Sequence, residues 1–410
     1  MWNRLKRTVC CILLLSLLCM VVTGCGNRTE LNEISIVSAS GIDWKDGKWI
    51  VTYQLVLPQA IASHGSGTSS GAAPINVFST SGDTIRGAIS KASYEMSRRL
   101  YFSQNQIVVI SDQAAEHGLT SLFDAYLRNP DSRETVSVFL TKRRSAREVL
   151  EHLIPLEEIP GAAIERMSRN EEKNGSTLPN MSMYRVLLDL LGPTKATGIT
   201  SIDISGSDPL NSMQKMGKTY SSSKIKLGQL GILHEDKLAG WIGHTDSYGV
   251  MWMRNQIRNS TLWFPCSGEQ KAEQAVMRVN RTKTKLSAKK DGDSWKLHVQ
   301  IHAKGTLMEY PCDSDLTKPA NVEELEKRAA DKLTELVQDS FKAVQEVKVD
   351  ILGFGEAVRL KDPKGWNKMA SRWNEQVFPQ TTVEPDVHVT IERTGMSTDS
   401  FRKMQSKAGS

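Results

Sequence analysis

Two long segments, residues 275–288 and 295–308, constrain the fold of this 410-residue chain more than any other stretch. Each reads as a long β-strand, and Asp291-Gly292-Asp293 between them is a strong turn signal. Residues 224–232 and 237–242 flank His234-Glu235-Asp236 in the same way and predict a second hairpin. Antiparallel hairpins of this kind do not arise from a run of βαβ units. The chain is therefore expected to be α+β rather than doubly wound. Its length is too great for one ordinary domain and suits two or three.

The remaining pattern fits that class. Residues 33–37 and 49–56 read as strands, the second with Trp49, Val51, Tyr53 and Leu55 on one face. Residues 58–74 are rich in Ser, Gly and Ala and predict a flexible loop. Asp83 is placed to cap a helix whose apolar face is Ile85, Ala88, Ile89, Ala92 and Met96. The apolar run at 106–110 suits a buried strand. A helix over 115–127 and a strand over 135–141 follow. Ser145 and Glu148 have the spacing of a capping box. Asn321 and Glu324 share that spacing and are expected to open the longest helix. Its stripe is Val322, Leu325, Ala329, Leu333, Leu336, Val337, Phe341 and Val344. A helix after Pro363 carries Trp366, Met369 and Trp373 on one face. A strand over 383–391, interrupted by Pro385, leads to a polar tail.

The N-terminus decides the compartment. Met1 to Arg7 carries three cations, fifteen uncharged residues follow from Thr8 to Val22, and Gly24-Cys25 comes next. A basic region, a short apolar region and a small-residue cleavage site make a secretory signal. Gly24-Cys25 resembles a bacterial lipobox, so Cys25 is expected to be diacylated and to become the first residue of the mature chain. Two acyl chains hold a protein to a membrane at roughly 0.8 kcal/mol per buried CH₂. Removal of the signal takes the net charge from +6 to +3, too mild to argue for nucleic acid. It also removes Cys10, Cys11 and Cys19, leaving Cys266 and Cys312 as either a disulfide or two buried thiols.

Candidate chemical motifs carry little. Gly67-Thr68-Ser69-Ser70-Gly71 matches G-x-S-x-G, but it lies in low-complexity loop and not in a strand–turn–helix elbow. His298 and His302, four apart on a strand, stand ~13 Å apart, too far to share one ion. Gly353-Phe354-Gly355-Glu356 lacks a third glycine and reads as a turn with positive φ. No metal, cofactor or catalytic residue is assigned, and the chain is not expected to be an enzyme. The tryptophans (Trp241, Trp252 and Trp263; Trp366 and Trp373) suit core packing or a partner-binding face. The basic clusters at 142–144 and 283–290 suit a solvated face or contact with anionic lipid.

Taken together, several segments resemble the Ger(x)C family, the lipoprotein C subunits of spore nutrient-germinant receptors. They are Glu30-Leu31-Asn32-Glu33, Gly41-Ile42-Asp43, Gly82-Asp83-Thr84-Ile85, Arg99-Leu100-Tyr101-Phe102, Leu127-Arg128-Asn129-Pro130 and Glu158-Ile159-Pro160 in the first half. The second half adds Leu238-Ala239-Gly240-Trp241, Gly249 with Trp252, and Pro265-Cys266. The most specific stretch is Asp350-Ile351-Leu352-Gly353-Phe354-Gly355-Glu356 with Trp366, Trp373, Phe378-Pro379 and Arg393-Thr394-Gly395. The resemblance implies three α/β domains in an extended arrangement. It implies a non-enzymatic subunit on the outer face of the spore inner membrane, assembled with two integral membrane subunits, A and B, and needed for nutrient-triggered germination. The expected division is a signal peptide at 1–24, an N-terminal domain at 25–195, a middle domain at 196–268, a C-terminal α+β domain at 269–400 and a tail at 401–410. The alternatives weighed against this reading are a solute-binding lipoprotein of an uptake system and an envelope hydrolase. The hairpin over 275–308 argues against the first, and the lack of a convergent nucleophile or metal set argues against the second.

Overall fold

A computed structural model describes residues 2, 4–9, 30, 32–65, 72–129, 131–266, 273–292, 294–312, 314–395 and 404–405. Two sheets organise them. The first is built from β1 (Ile34–Lys45), β2 (Lys48–Val56), β3 (Ile75–Gly82), β4 (Arg99–Tyr101), β5 (Ile107–Ser111), β6 (Ser137–Thr141), β7 (Ala196–Ser205), β8 (Lys224–His234) and β9 (Lys237–Ile242). Its order is β3-β2-β1-β5-β6-β7-β8-β9, with β4 beside the start of β1. Asp46 and Gly47 both have positive φ, as a two-residue turn between β1 and β2 requires.

The centre of this sheet, β1-β5-β6-β7, is parallel, a feature the hairpin signals do not disclose. Parallel strands are covered on both faces, which explains why every residue of β5 and β6 is buried. One face packs Val108, Ile110, Val138 and Leu140 under the helices Ile85–Glu95, Asp112–His117, Thr120–Arg128 and Met183–Leu191. The other packs Ala39, Ile107, Val109 and Phe139 under the helices Ala146–Glu151 and Pro160–Asn174. Residues past Gly192-Pro193 do not open a new sheet. They continue the first one, whose edge turns antiparallel from β7 to β9.

The second sheet runs β10 (Ser260–Pro265), β11 (Gln274–Asp291), β12 (Ser294–Glu309) and β13 (Thr382–Arg393) in that order. The β11–β12 hairpin spans nearly the whole length of both strands. β12 and β13 are parallel and so need a long crossover, which holds the helix Pro319–Val347. Leu325, Ala329, Leu333, Val337, Phe341 and Val344 of that helix are buried against the inner face of the sheet. The same core takes in Leu230, Ile232 and Ile242 of the first sheet, so the two sheets share apolar packing.

Several local expectations are corrected. Residues 58–65 form a short helix because Pro58 stands at its first turn and Gln59 to Ala62 favour helix. Thr84, and not Asp83, caps the next helix, its hydroxyl accepting from the Gly87 N–H. Gly118 at φ +125° divides the helix expected over 115–127 into two. The long helix starts at Pro319 without a side-chain cap, and Asn321 instead donates to the Asp315 carbonyl. Trp373 lies beyond the end of the helix Pro363–Met369, in the irregular turn that follows. Pro385 does not interrupt β13. β13 is an edge strand, where a missing N–H is tolerated. The Ser145–Glu148 capping box is present. Cys266 and Cys312 are joined as a disulfide, with Cα atoms 5.6 Å apart.

Candidate functional site

Buried polar groups meet residues from distant parts of the chain in several places, and two of these hold a buried aspartate. The first is the seam between the sheets. The long helix ends at Lys348, whose φ is +58°, and the chain then buries Val349, Ile351 and Leu352. Asp350 is fully buried among them. Its Oδ1 accepts from the amides of Leu352 (3.0 Å), Gly353 (3.0 Å) and Phe354 (3.3 Å). Its Oδ2 accepts from the Gly355 amide (2.6 Å) and the Trp373 indole N–H (3.0 Å). The carboxylate thereby serves the orphan donors at the start of the helix Phe354–Lys361. Burial pushes its pKa above the usual carboxylate value, against the pull of those donors.

From there a polar chain crosses the seam. Asn374 Oδ1 accepts from the Asp350 amide at 2.9 Å. Asn374 Nδ2 donates to the Thr194 carbonyl at 2.8 Å and lies 3.0 Å from His234 Nε2. Beside it, Arg254 reaches Asp189 Oδ2 at 3.1 Å and the Ile351 carbonyl at 3.2 Å. Close backbone approach completes the joint. A Cβ on Gly355 would stand 2.5 Å from Thr194 Cγ2, and one on Gly249 would stand 2.0 Å from Ser340 Oγ. Trp252, Trp366 and Trp373 are buried around it, so these three tryptophans serve the core. The sequence motifs include Asp350 and Gly249 without a role and give Gly353 and Gly355 a turn, but they do not point to Asn374, Arg254 or Asp189.

The second place is a cleft of about 920 Å³ at the carboxyl ends of β1, β5 and β6. β1 leads away to β2 on one side and β5 to β6 on the other, so the cleft sits where the chain departs in opposite directions. Open α/β sheets bind ligands at such points. Asp43 is its buried member. Its Oδ1 accepts from the Ala146 amide at 2.8 Å, and burial raises its pKa despite that bond. The rim carries Lys45, Arg143, Arg144 and Arg147 together with Asp112, Glu116 and Glu148. Arg144 pairs with Glu148 at 3.1 Å, and Arg147 pairs with Glu151 while donating to Ser79 Oγ at 3.0 Å. The cleft mixes charged groups of both signs with the apolar surface of Trp44 and Ile50, and suits a small molecule with polar and apolar parts more than covalent chemistry.

The other sequence candidates are dispersed. Cys25 and the Gly67–Gly71 motif lie outside the described residues. His298 pairs with Glu384 at 3.2 Å, while His302 stacks on His388 with centroids 5.1 Å apart. Among the described residues no group of three His, Cys, Asp or Glu is placed to hold a metal, and no helix is long and apolar enough to cross a membrane. Gly353 has φ +90°, as its turn requires. Trp241 lies under the Lys142 ammonium at 5.2 Å, and Trp263 is half exposed.

Comparison with known proteins covers both halves. Residues 27–204 match the spore germination protein N-terminal domain, and residues 228–395 match the spore germination B3/GerAC-like C-terminal domain. Spore germination protein KC of Bacillus subtilis (strain 168) is 27% identical over 394 residues, covering 94% of this chain and 96% of that one. Spore germination protein B3 of the same organism is 21% identical over 92% of this chain and 95% of its own length. Spore germination protein GerQC of Bacillus cereus is 19% identical over 92% and 97% respectively. The crystal structure of the GerBC protein superimposes with a TM-score of 0.53 at 16% identity, covering 86% of this chain and 97% of that one.

Proposed function

The chain belongs to the Ger(x)C family of spore germination proteins, and on that premise we propose that it is the lipid-anchored C subunit of a nutrient germinant receptor. The observation that carries this reading is the pair of domain matches, which together run from residue 27 to residue 395 in the family's own order. The lipobox supports attachment through Cys25 to the outer face of the spore inner membrane. In this reading the protein is not an enzyme. It is a rigid scaffold for the integral A and B subunits, needed for nutrient-triggered germination. Tethering confines it to the surface its partners occupy and raises its effective concentration there.

The proposed division of the chain supports a scaffold. The middle stretch, 196–268, gives three strands to the first sheet and β10 to the second, and so ties the block at 25–195 to the one at 269–400. The direct test is lipid labelling and fractionation of spores carrying wild-type protein or Cys25→Ala, with recovery of the A and B subunits from detergent extracts. The reading expects palmitate on the wild type alone and fewer A and B subunits recovered with the variant. Equal membrane recovery without label would refute lipid anchoring.

The cleft at the ends of β1, β5 and β6 favours a second reading, the solute-binding lipoprotein. A ligand bound by this chain alone would stabilise it by RT ln(1 + [L]/Kd) and so raise its melting temperature. A flat melting temperature across nutrients removes that reading.

A further inference from the structure

The outer face of the second sheet carries an uneven charge distribution. From Arg278 onward, the outward positions of β11 are Arg278, Arg281, Lys283, Lys285, Ser287 and Lys289, and all six are exposed. Register sets them beside Thr306, Lys304, His302, Gln300, His298 and Lys296 of β12. Glu309 of β12 stands opposite Val276, and the other acids of this face lie one strand further away, on β13. There Glu384 pairs with Lys296 and His298, Asp386 with His388 and Gln300, and Glu392 with Lys304. No carboxylate lies within ion-pair distance of Arg278, Arg281, Lys283 or Lys285 among the described residues. Beyond its pairing with β10, β11 forms no further ladder on that side, where Thr282 and Thr284 bond instead to Ile257, Trp252 and Asn255, and the column of cations faces water from the outer face.

Lysines on an edge strand commonly block strand-to-strand aggregation. A few charges suffice for that, and an ordinary soluble surface mixes the two signs. Here one strand carries six cations against one carboxylate, Asp291 at its end. Its first half also carries an apolar group. Trp263 pairs with Val276 and points outward with it, and Met308 lies on the same face of β12. Trp263 is 54% and Met308 59% exposed. Cations beside an exposed tryptophan suit the headgroup layer of an anionic bilayer, where the charges meet phosphates and the indole sits at the apolar boundary.

We propose that the outer face of β11, with Trp263 and Met308, docks onto an anionic membrane surface. This deepens the membrane reading and rests on it. It fixes how the C-terminal unit lies against the bilayer, which an N-terminal tether alone leaves free.

The test uses the full chain carrying Cys25→Ala, so that no acyl chain contributes and failure of the lipidation reading leaves the result interpretable. Binding is measured by sedimentation with phosphatidylcholine vesicles and with vesicles that are about one-third phosphatidylglycerol. The variant is Arg281→Gln with Lys283→Gln and Lys285→Gln. The control is Lys361→Gln with Lys364→Gln and Lys368→Gln, on helices away from this face; Phe354–Lys361 packs behind β11. Each cation near an anionic surface is worth about fivefold in affinity. The variant is expected to lose on the order of a hundredfold on anionic vesicles at low salt, with binding to neutral vesicles unchanged, while the control loses tenfold or less. No loss in the variant, or an equal loss in the control, overturns the proposal. Unchanged vesicle binding with lost binding to polyglutamate overturns it in favour of an acidic protein partner.

Discussion

Replacing Asp350 by Asn isolates the carboxylate that organises the seam. Asn keeps the shape and one acceptor oxygen. In the orientation that preserves most bonds, that oxygen still serves the Leu352, Gly353 and Phe354 amides. The new NH₂ then faces the Gly355 amide and the Trp373 indole N–H, two buried donors that lose their acceptor. Each unsatisfied buried donor costs about 1–3 kcal/mol, so the loss is about 2–6 kcal/mol. Relief of the buried carboxylate's desolvation opposes it and places the expectation near the lower end. Urea unfolding, followed by tryptophan fluorescence and far-UV circular dichroism, reads the change in midpoint. A loss of about 2 kcal/mol or more is expected, with the fluorescence transition of the C-terminal unit moving first. A change under about 0.5 kcal/mol would refute the argument that this carboxylate holds the seam together.

Three further outcomes follow from the same packing. Gly355→Ala pushes a methyl group against Thr194, Trp366 and Trp373 and should cost about 1–3 kcal/mol in the same unfolding assay. The Cys266–Cys312 disulfide closes a span of 46 residues, so its removal by Cys312→Ser should cost up to about 4 kcal/mol on the chain-entropy argument. An unchanged midpoint in dithiothreitol would contradict that. Burial depresses the pKa of His152, whose ring nitrogens bond the Leu153 carbonyl and Ser223 Oγ. Its contribution is complete above its ordinary value of 6.5 and is lost as pH falls below that value toward the folded pKa. His152→Gln should flatten the fall in stability between about pH 7 and pH 5.

Elements whose signal is local were legible in the sequence. The apolar run of β5, the β11–β12 hairpin and the Ser145 capping box each need only neighbouring residues. Boundaries went wrong where two local signals competed. Thr84 lies beside Asp83, a single glycine divides one apolar stripe into two helices, and Pro319 starts a helix before Asn321 can cap it. The seam was illegible for another reason. Asn374 meets the Thr194 carbonyl across 180 residues, and no pattern in either stretch announces the other. The family motif around Asp350 marked the place but gave no role to any atom. The parallel centre of the first sheet was hidden likewise, because β5 and β6 would look the same in either direction.

The proposed role makes this chain necessary for nutrient signalling at the spore membrane. The most direct measurement is dipicolinic acid release from spores lacking the chain, in a strain without other nutrient receptors. The triggers are nutrient and a germinant that bypasses receptors. Loss of the nutrient response with the bypass response intact is expected, with restoration by wild type but not by Cys25→Ala. A full nutrient response without the chain would contradict it.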